Sequence, residues 1–139
     1  MTNTTDPKTD PVAVVDRYFA AVAGNDMATM ADLIGQDVTW HQPGANRFSG
    51  VYQGQGAVFG LIGAMVEATA GTFRLEVTAP SLVNGDLVAV PVRFTGTQGD
   101  AIMDLAGIDL HRVVDGRIAD VWLFGDDQPA EDAFWGPPA

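Results

Sequence analysis

Asp109, in the run Ile108-Asp109-Leu110-His111-Arg112, has the greatest chemical potential in this chain. Aspartate is depleted in strands, and a carboxyl among apolar strand neighbours has its pKa raised, because burial disfavours the charged form. A neutral carboxylic acid of this kind can donate a hydrogen bond or a proton. His111 lies two residues on and so shares Asp109's side of a strand. Trp40-His41-Gln42 precedes Pro43-Gly44; in a regular strand Trp40 and Gln42 face one way and His41 the other. Tyr18 falls on an apolar helical stripe, from which its hydroxyl could reach a rim. Phe59 and Met65, with Val121 and Leu123, are the apolar residues expected to line a binding pocket beside them.

These side chains need elements to hold them. Asp10-Pro11 is an N-cap followed by proline at the first helical position, and Val14, Val15, Tyr18, Phe19 and Val22 recur at helical spacing up to Gly24. Asp26 caps a shorter helix carrying Met27, Met30, Ala31 and Ile34. A strand over 37–42 follows, then a glycine-rich loop over 44–56 in which Asn46 and Arg47 read as solvated. A third helix is predicted over 57–69. Gly60 and Gly63 each cost it about 1 kcal/mol relative to alanine, which points to close packing there.

From Thr72 the period becomes two. Asn84-Gly85 and Asp115-Gly116 mark hairpins, Gly96 to Asp100 a looser turn, and strands are predicted over 72–80, 86–96, 101–114 and 117–124. Pro91 suggests a bulge or an exposed edge. The hairpin turn decides Asp109's side. A two-residue type I′ loop sets Asp109 opposite Trp122; a type I turn with a glycine bulge sets it opposite Val121. The bulged register is favoured, because it gathers Asp109, His111, Ala119, Val121 and Leu123 on one face. It also pairs Arg112 with Asp120 on the other, beside Ile118 and a Trp122-Phe124 strip suited to a second subunit.

At 139 residues one domain is expected, over 12–135, between a disordered polar tail (1–11) and a short C-terminal tail (136–139). Apolar residues make up 47% of the chain and charged ones 18%, against roughly 25% on average, so a sizeable core is assured. Eighteen acids against seven bases give a charge of -11, which repels nucleic acid and anionic lipid. The chain has no cysteine. The longest apolar run, Gly56 to Val66, is far short of the ~20 residues of a bilayer span, and the N-terminus lacks a signal-peptide core, so a cytoplasmic location is expected. The acidic turn Asp126, Asp127, Glu131, Asp132 reads as a solvated face. No metal or organic cofactor is expected.

Helices preceding a long antiparallel sheet give the α+β class. The run Arg17-Tyr18-Phe19, Asp26, the Thr39 to Gly44 strand end, Ser49-Gly50 with Gly54, and the Ile108 to Arg112 and Asp115 to Ile118 hairpin together resemble the nuclear transport factor 2-like superfamily. More narrowly, the chain resembles SnoaL-like polyketide cyclases and ketosteroid isomerases. The resemblance implies a cystatin-like α+β barrel: a cone-shaped curved antiparallel sheet wrapped around three N-terminal helices. It places the ketosteroid isomerases' oxyanion tyrosine on Tyr18, their oxyanion aspartate on Asp109 and their base on Gln42. Glutamine accepts no proton near neutral pH, so that shuttle cannot run here. The late-strand acid of SnoaL-like cyclases and limonene epoxide hydrolases falls on Leu123 and is also missing. The implied function is a cofactor-independent cyclase or isomerase for a hydrophobic polyketide- or terpenoid-type intermediate, in a homodimer formed through the outer sheet face. A non-catalytic binder of a small hydrophobic ligand, an epoxide-opening hydrolase and a partner subunit are the alternatives.

Overall fold

The computed structural model describes residues 8–138, so the expected tail over 1–11 lies outside the described residues up to residue 7. Among the described residues four helices and seven strands form an α+β fold with one open, curved sheet. Helix α1 (Pro11–Ala23) begins where Asp10 accepts a hydrogen bond from the Ala13 amide at 3.0 Å, and α2 (Met27–Leu33) where Asp26 caps Thr29. Ile34, expected on the second helix, instead opens strand β1 (Ile34–Gln42).

Strand β2 (Gly50–Gln53) lies within the segment expected to be loop. It pairs antiparallel with β1, Trp40 opposite Tyr52, and the Tyr52 hydroxyl donates to the Phe48 carbonyl at 2.8 Å. Helix α3 is Gln55–Ala68. The close packing expected at Gly60 and Gly63 is not found: a methyl group on either would meet nothing within 4 Å. Strands β3 (Arg74–Val77), β4 (Leu82–Asn84), β5 (Leu87–Gln98), β6 (Ala101–Val114) and β7 (Arg117–Gly125) follow, and the sheet order is β2-β1-β7-β6-β5-β3, with β4 beside β5. Neighbours are antiparallel except β1 and β7, which run parallel. Pro91 is neither at a bulge nor on an outer edge. It lies where β5's partner changes from β4, paired up to Ala89, to β3, paired from Val92, so no ladder bond needs its missing N–H. The turn expected over Gly96 to Asp100 tightens to Gly99-Asp100, because Gln98 already pairs with Ala101.

The β6–β7 hairpin takes neither register weighed from sequence. Asp115 and Gly116 both have positive φ, 51° and 79°, and Val114 faces Arg117, which is a two-residue type I′ loop. The bulge comes later: Arg112 pairs with Asp120 and Val113 with Ile118, leaving Ala119 as the extra residue. Asp109 is therefore opposite Leu123. The reason is burial. Val113 and Ile118 are both inside near the turn, and Val121 is inside three residues beyond Ile118, so only an inserted residue lets both β7 side chains point to the core. Ile118, expected on the outer face, is thereby turned in. Arg112 and Asp120 do pair on the outside, at 2.6 Å.

A fourth helix, α4 (Gln128–Trp135), replaces the expected acidic turn. Asp127 caps it, and Phe134 and Trp135 are buried, with the Trp135 ring edge-on to Phe48, Phe73 and Phe134. Asp132 ties it to the loop before β2 by accepting from Asn46 Nδ2 at 2.8 Å and the Ala45 amide at 3.1 Å. Asn46, expected to be solvated, is buried by this contact.

Candidate active site

Between the inner face of the sheet and the helices lies a cavity of about 590 Å³. Trp40 and Gln42 enter it from β1, Asp109 from β6 and Leu123 from β7; α1 contributes Tyr18, and α3 contributes Met65. Exposed lining residues Met27, Val66, Arg74 and Phe124 mark its open rim. The Arg74 guanidinium is held on the Gly71 and Phe73 carbonyls at 2.8 and 2.9 Å.

Three polar groups from different elements converge on this space. Asp109 is 8% exposed, and its carboxyl has no hydrogen-bond partner among the described residues. Burial, with a smaller contribution from the negative field of Glu131, raises its pKa from 3.8 to about 7. Tyr18 lies beside it; burial and the Asp109 charge push the phenol's pKa further up, so it remains a donor. Gln42 Oε1 accepts from Trp40 Nε1 at 3.0 Å, a bond within one strand face that leaves the Gln42 amide nitrogen as a donor without a partner among the described residues. Asp109, Tyr18 and Gln42 thus each offer a hydrogen-bond donor to a largely apolar chamber.

Four of the ten residues singled out from sequence do not line the cavity. His41 is on the outer face, stacked on Trp122 at 5.2 Å between ring centroids with an interplanar angle of 5°, as strand alternation requires of Gln42's neighbour. His111 does share Asp109's face, but two residues further along β6 that face is covered by α1. Its ring packs 5.7 Å from Tyr18 and 5.4 Å from Phe19 and is 1% exposed, and neither nitrogen makes a well-formed hydrogen bond among the described residues. Burial lowers its pKa to about 4, against a smaller opposite effect from the Val88 backbone, so the ring is neutral at neutral pH. Val121 is packed in the core, and Phe59 packs against that core from α3, one turn before the cavity-lining Ile62.

Glu131 was missed. It is 5% exposed and lines the cavity from α4; Oε1 accepts from Gln128 Nε2 at 3.1 Å and Oε2 from Trp135 Nε1 at 3.3 Å. Burial raises its pKa and these two donors oppose the rise. The signal in the sequence is its place four residues before Trp135, on the face of a helix that a tryptophan must bury. Among the described residues no group of three or more His, Asp or Glu is arranged to hold a metal ion, and no helix is long and apolar enough to cross a membrane.

Residues 15–121 match the SnoaL-like domain family. The chain belongs to this family. A cystatin-like protein of unknown function from Xanthomonas campestris is 39% identical and superposes with a TM-score of 0.86 over 91% of this chain and 98% of that one. An uncharacterised protein of Mycobacterium tuberculosis is 29% identical over 123 residues, 88% of this chain and 93% of its own. A candidate SnoaL-like polyketide cyclase from a Jannaschia species shares the fold at 19% identity, with a TM-score of 0.72 over 99% of this chain and all of that one. The SnoaL-like chain thus has the nuclear transport factor 2-like fold anticipated from its motifs.

Proposed function

We propose that this SnoaL-like protein is a cofactor-independent cyclase or isomerase for an uncharged, hydrophobic polyketide- or terpenoid-type intermediate. The observation that carries the reading is the partnerless carboxyl of Asp109, held beside the Tyr18 hydroxyl in an apolar cavity. Such a chamber contributes by holding a flexible chain in one reactive conformer and by polarising a carbonyl with donors already in place. A cytoplasmic location belongs to the same proposal. Replacing Asp109 by Asn keeps the shape and removes the acid. Incubated with an extract of the producing organism and followed by mass spectrometry, the Asp109→Asn protein is expected to form the product about 100-fold more slowly than the native protein, with its fold unchanged. Equal conversion by both proteins removes Asp109 from the mechanism.

Gln42 and Leu123, at positions where relatives resembled by this chain carry acids, favour a second reading as a binding protein. Release of an unaltered ligand in the same experiment supports it, and a converted product rules out pure binding.

The proposal includes a homodimer through the outer sheet face. The His41–Trp122 stack lies there beside exposed Val51 and Phe124, an apolar strip on a chain of high negative charge. Light scattering is expected to give twice the chain mass, and Trp122→Glu the single mass; a native monomer at micromolar concentration defeats this part.

A further inference from the structure

Glu131 and Asp109 are two carboxyls lining one chamber, and among the described residues neither is in an ion pair. Asp109 is more than nine-tenths buried and unpartnered. The groups around it are Tyr18 from α1, Gln42 from β1 and Glu131 from α4. His111 lies beyond Tyr18, and the rim's Arg74 is held by backbone carbonyls. Around Glu131 are Gln128 and Trp135, both donating to it, and Asp132, which is turned to Asn46 and Gln128. Burial, with the negative field of Glu131 added to it, favours the protonated form of Asp109, so the pair retains a proton up to about pH 7.

The hydrogen bonds decide which carboxyl holds it. Glu131 has a donor on each oxygen and sits in the first turn of α4, where the helix dipole favours negative charge. Asp109 has neither. We infer that Asp109 and Glu131 form a one-proton acid/base pair, Asp109 the acid and Glu131 the base, acting on an uncharged apolar substrate that carries an acidic C–H near a basic oxygen. This rests on the reading of the cavity as a reaction chamber, and it replaces the base missing at Gln42 with one from a different element. In the step, a Glu131 oxygen takes the proton from carbon and the C–H electron pair becomes a new π bond. The oxygen that gains electrons takes the proton of Asp109. The pair ends with Glu131 protonated and Asp109 ionised, its total charge unchanged, and solvent exchange at the rim resets it. Anionic substrates are excluded by the charge the pair keeps throughout.

Nitrobenzisoxazole is a neutral apolar probe of this step: its ring C–H is removed, a nitrile forms, the N–O bond breaks and the phenol oxygen leaves with the proton. The full chain is expected to accelerate this reaction over acetate at equal pH. Glu131→Gln, whose amide oxygen still accepts from Trp135, is expected to lose about 100-fold or more, with Glu131→Asp recovering part of it. Asp109→Asn is expected to lose about 10-fold, because the leaving phenolate needs less help. Infrared difference spectra of the carboxyl stretch supply a reading independent of turnover: in Glu131→Gln the Asp109 carboxyl should titrate at lower pH, the neighbouring negative charge being gone. An unmoved Asp109 titration in a folded Glu131→Gln protein overturns the pair. A native protein inert toward the probe, with that titration shift present, overturns the catalytic role and the reaction-chamber reading but leaves the shared proton standing.

Discussion

At pH 8 the Asp109→Asn protein is expected to be more stable than the native one, by up to about 4 kcal/mol. The folded chain holds the Asp109 proton to about pH 7, whereas the unfolded chain releases it near 3.8. A group with a raised folded pKa stabilises the fold below its unfolded pKa, and that contribution is lost as pH rises through the folded value. Each tenfold difference in proton affinity between the folded and unfolded chain is worth ~1.36 kcal/mol, which gives the upper figure. The difference between the two proteins should therefore be small at pH 4, widen up to pH 7 and then stay level. His111 acts with the opposite sign, since its depressed folded pKa makes stability fall as pH drops through roughly 6 to 4. It is present in both proteins and cancels in the comparison. Urea unfolding of both across pH 4 to 8 measures the difference; one that does not change with pH would refute the burial of an ionisable carboxyl. The gain in stability alongside a loss of turnover would mark Asp109 as a residue kept for chemistry.

Trp135→Ala should cost about 3 to 5 kcal/mol, as does removal of other large buried aromatics. The indole is 2% exposed, meets three phenylalanine rings edge-on, and orients Glu131 through its Nε1. Its loss should free the C-terminal helix, enlarge the chamber and strip Glu131 of one donor. The checks are a lower denaturant midpoint and faster amide exchange confined first to 128–135. A loss below 1 kcal/mol would show that α4 contributes little to the fold.

Much of this was legible locally. Asp10 and Asp26 announce helix starts, the two-residue period after Thr72 announces the sheet, and strand parity alone puts Trp40 with Gln42 and Asp109 with His111. The Ala119 bulge also leaves a trace, since Ile118 and Val121 are both apolar at an odd spacing that a regular strand cannot bury on one face. Glu131 left a fainter one: an acidic turn reads as solvated until the tryptophan and phenylalanine that close it are given something to pack against.

Near-neighbour physics, the period of the pattern and the caps, settles which elements form and which way each side chain points, and that much is written in the chain. It does not settle whether an inward side chain meets open space or another side chain. Asp109 and His111 share a face, yet one looks into the chamber and the other lies under Tyr18 and Phe19, because α1 covers only part of β6. Glu131 joins Asp109 only when α4 folds back, held by Asp132 on Asn46 across 86 residues of sequence. Contacts of that range depend on how whole elements stack, and only the tertiary structure decides them.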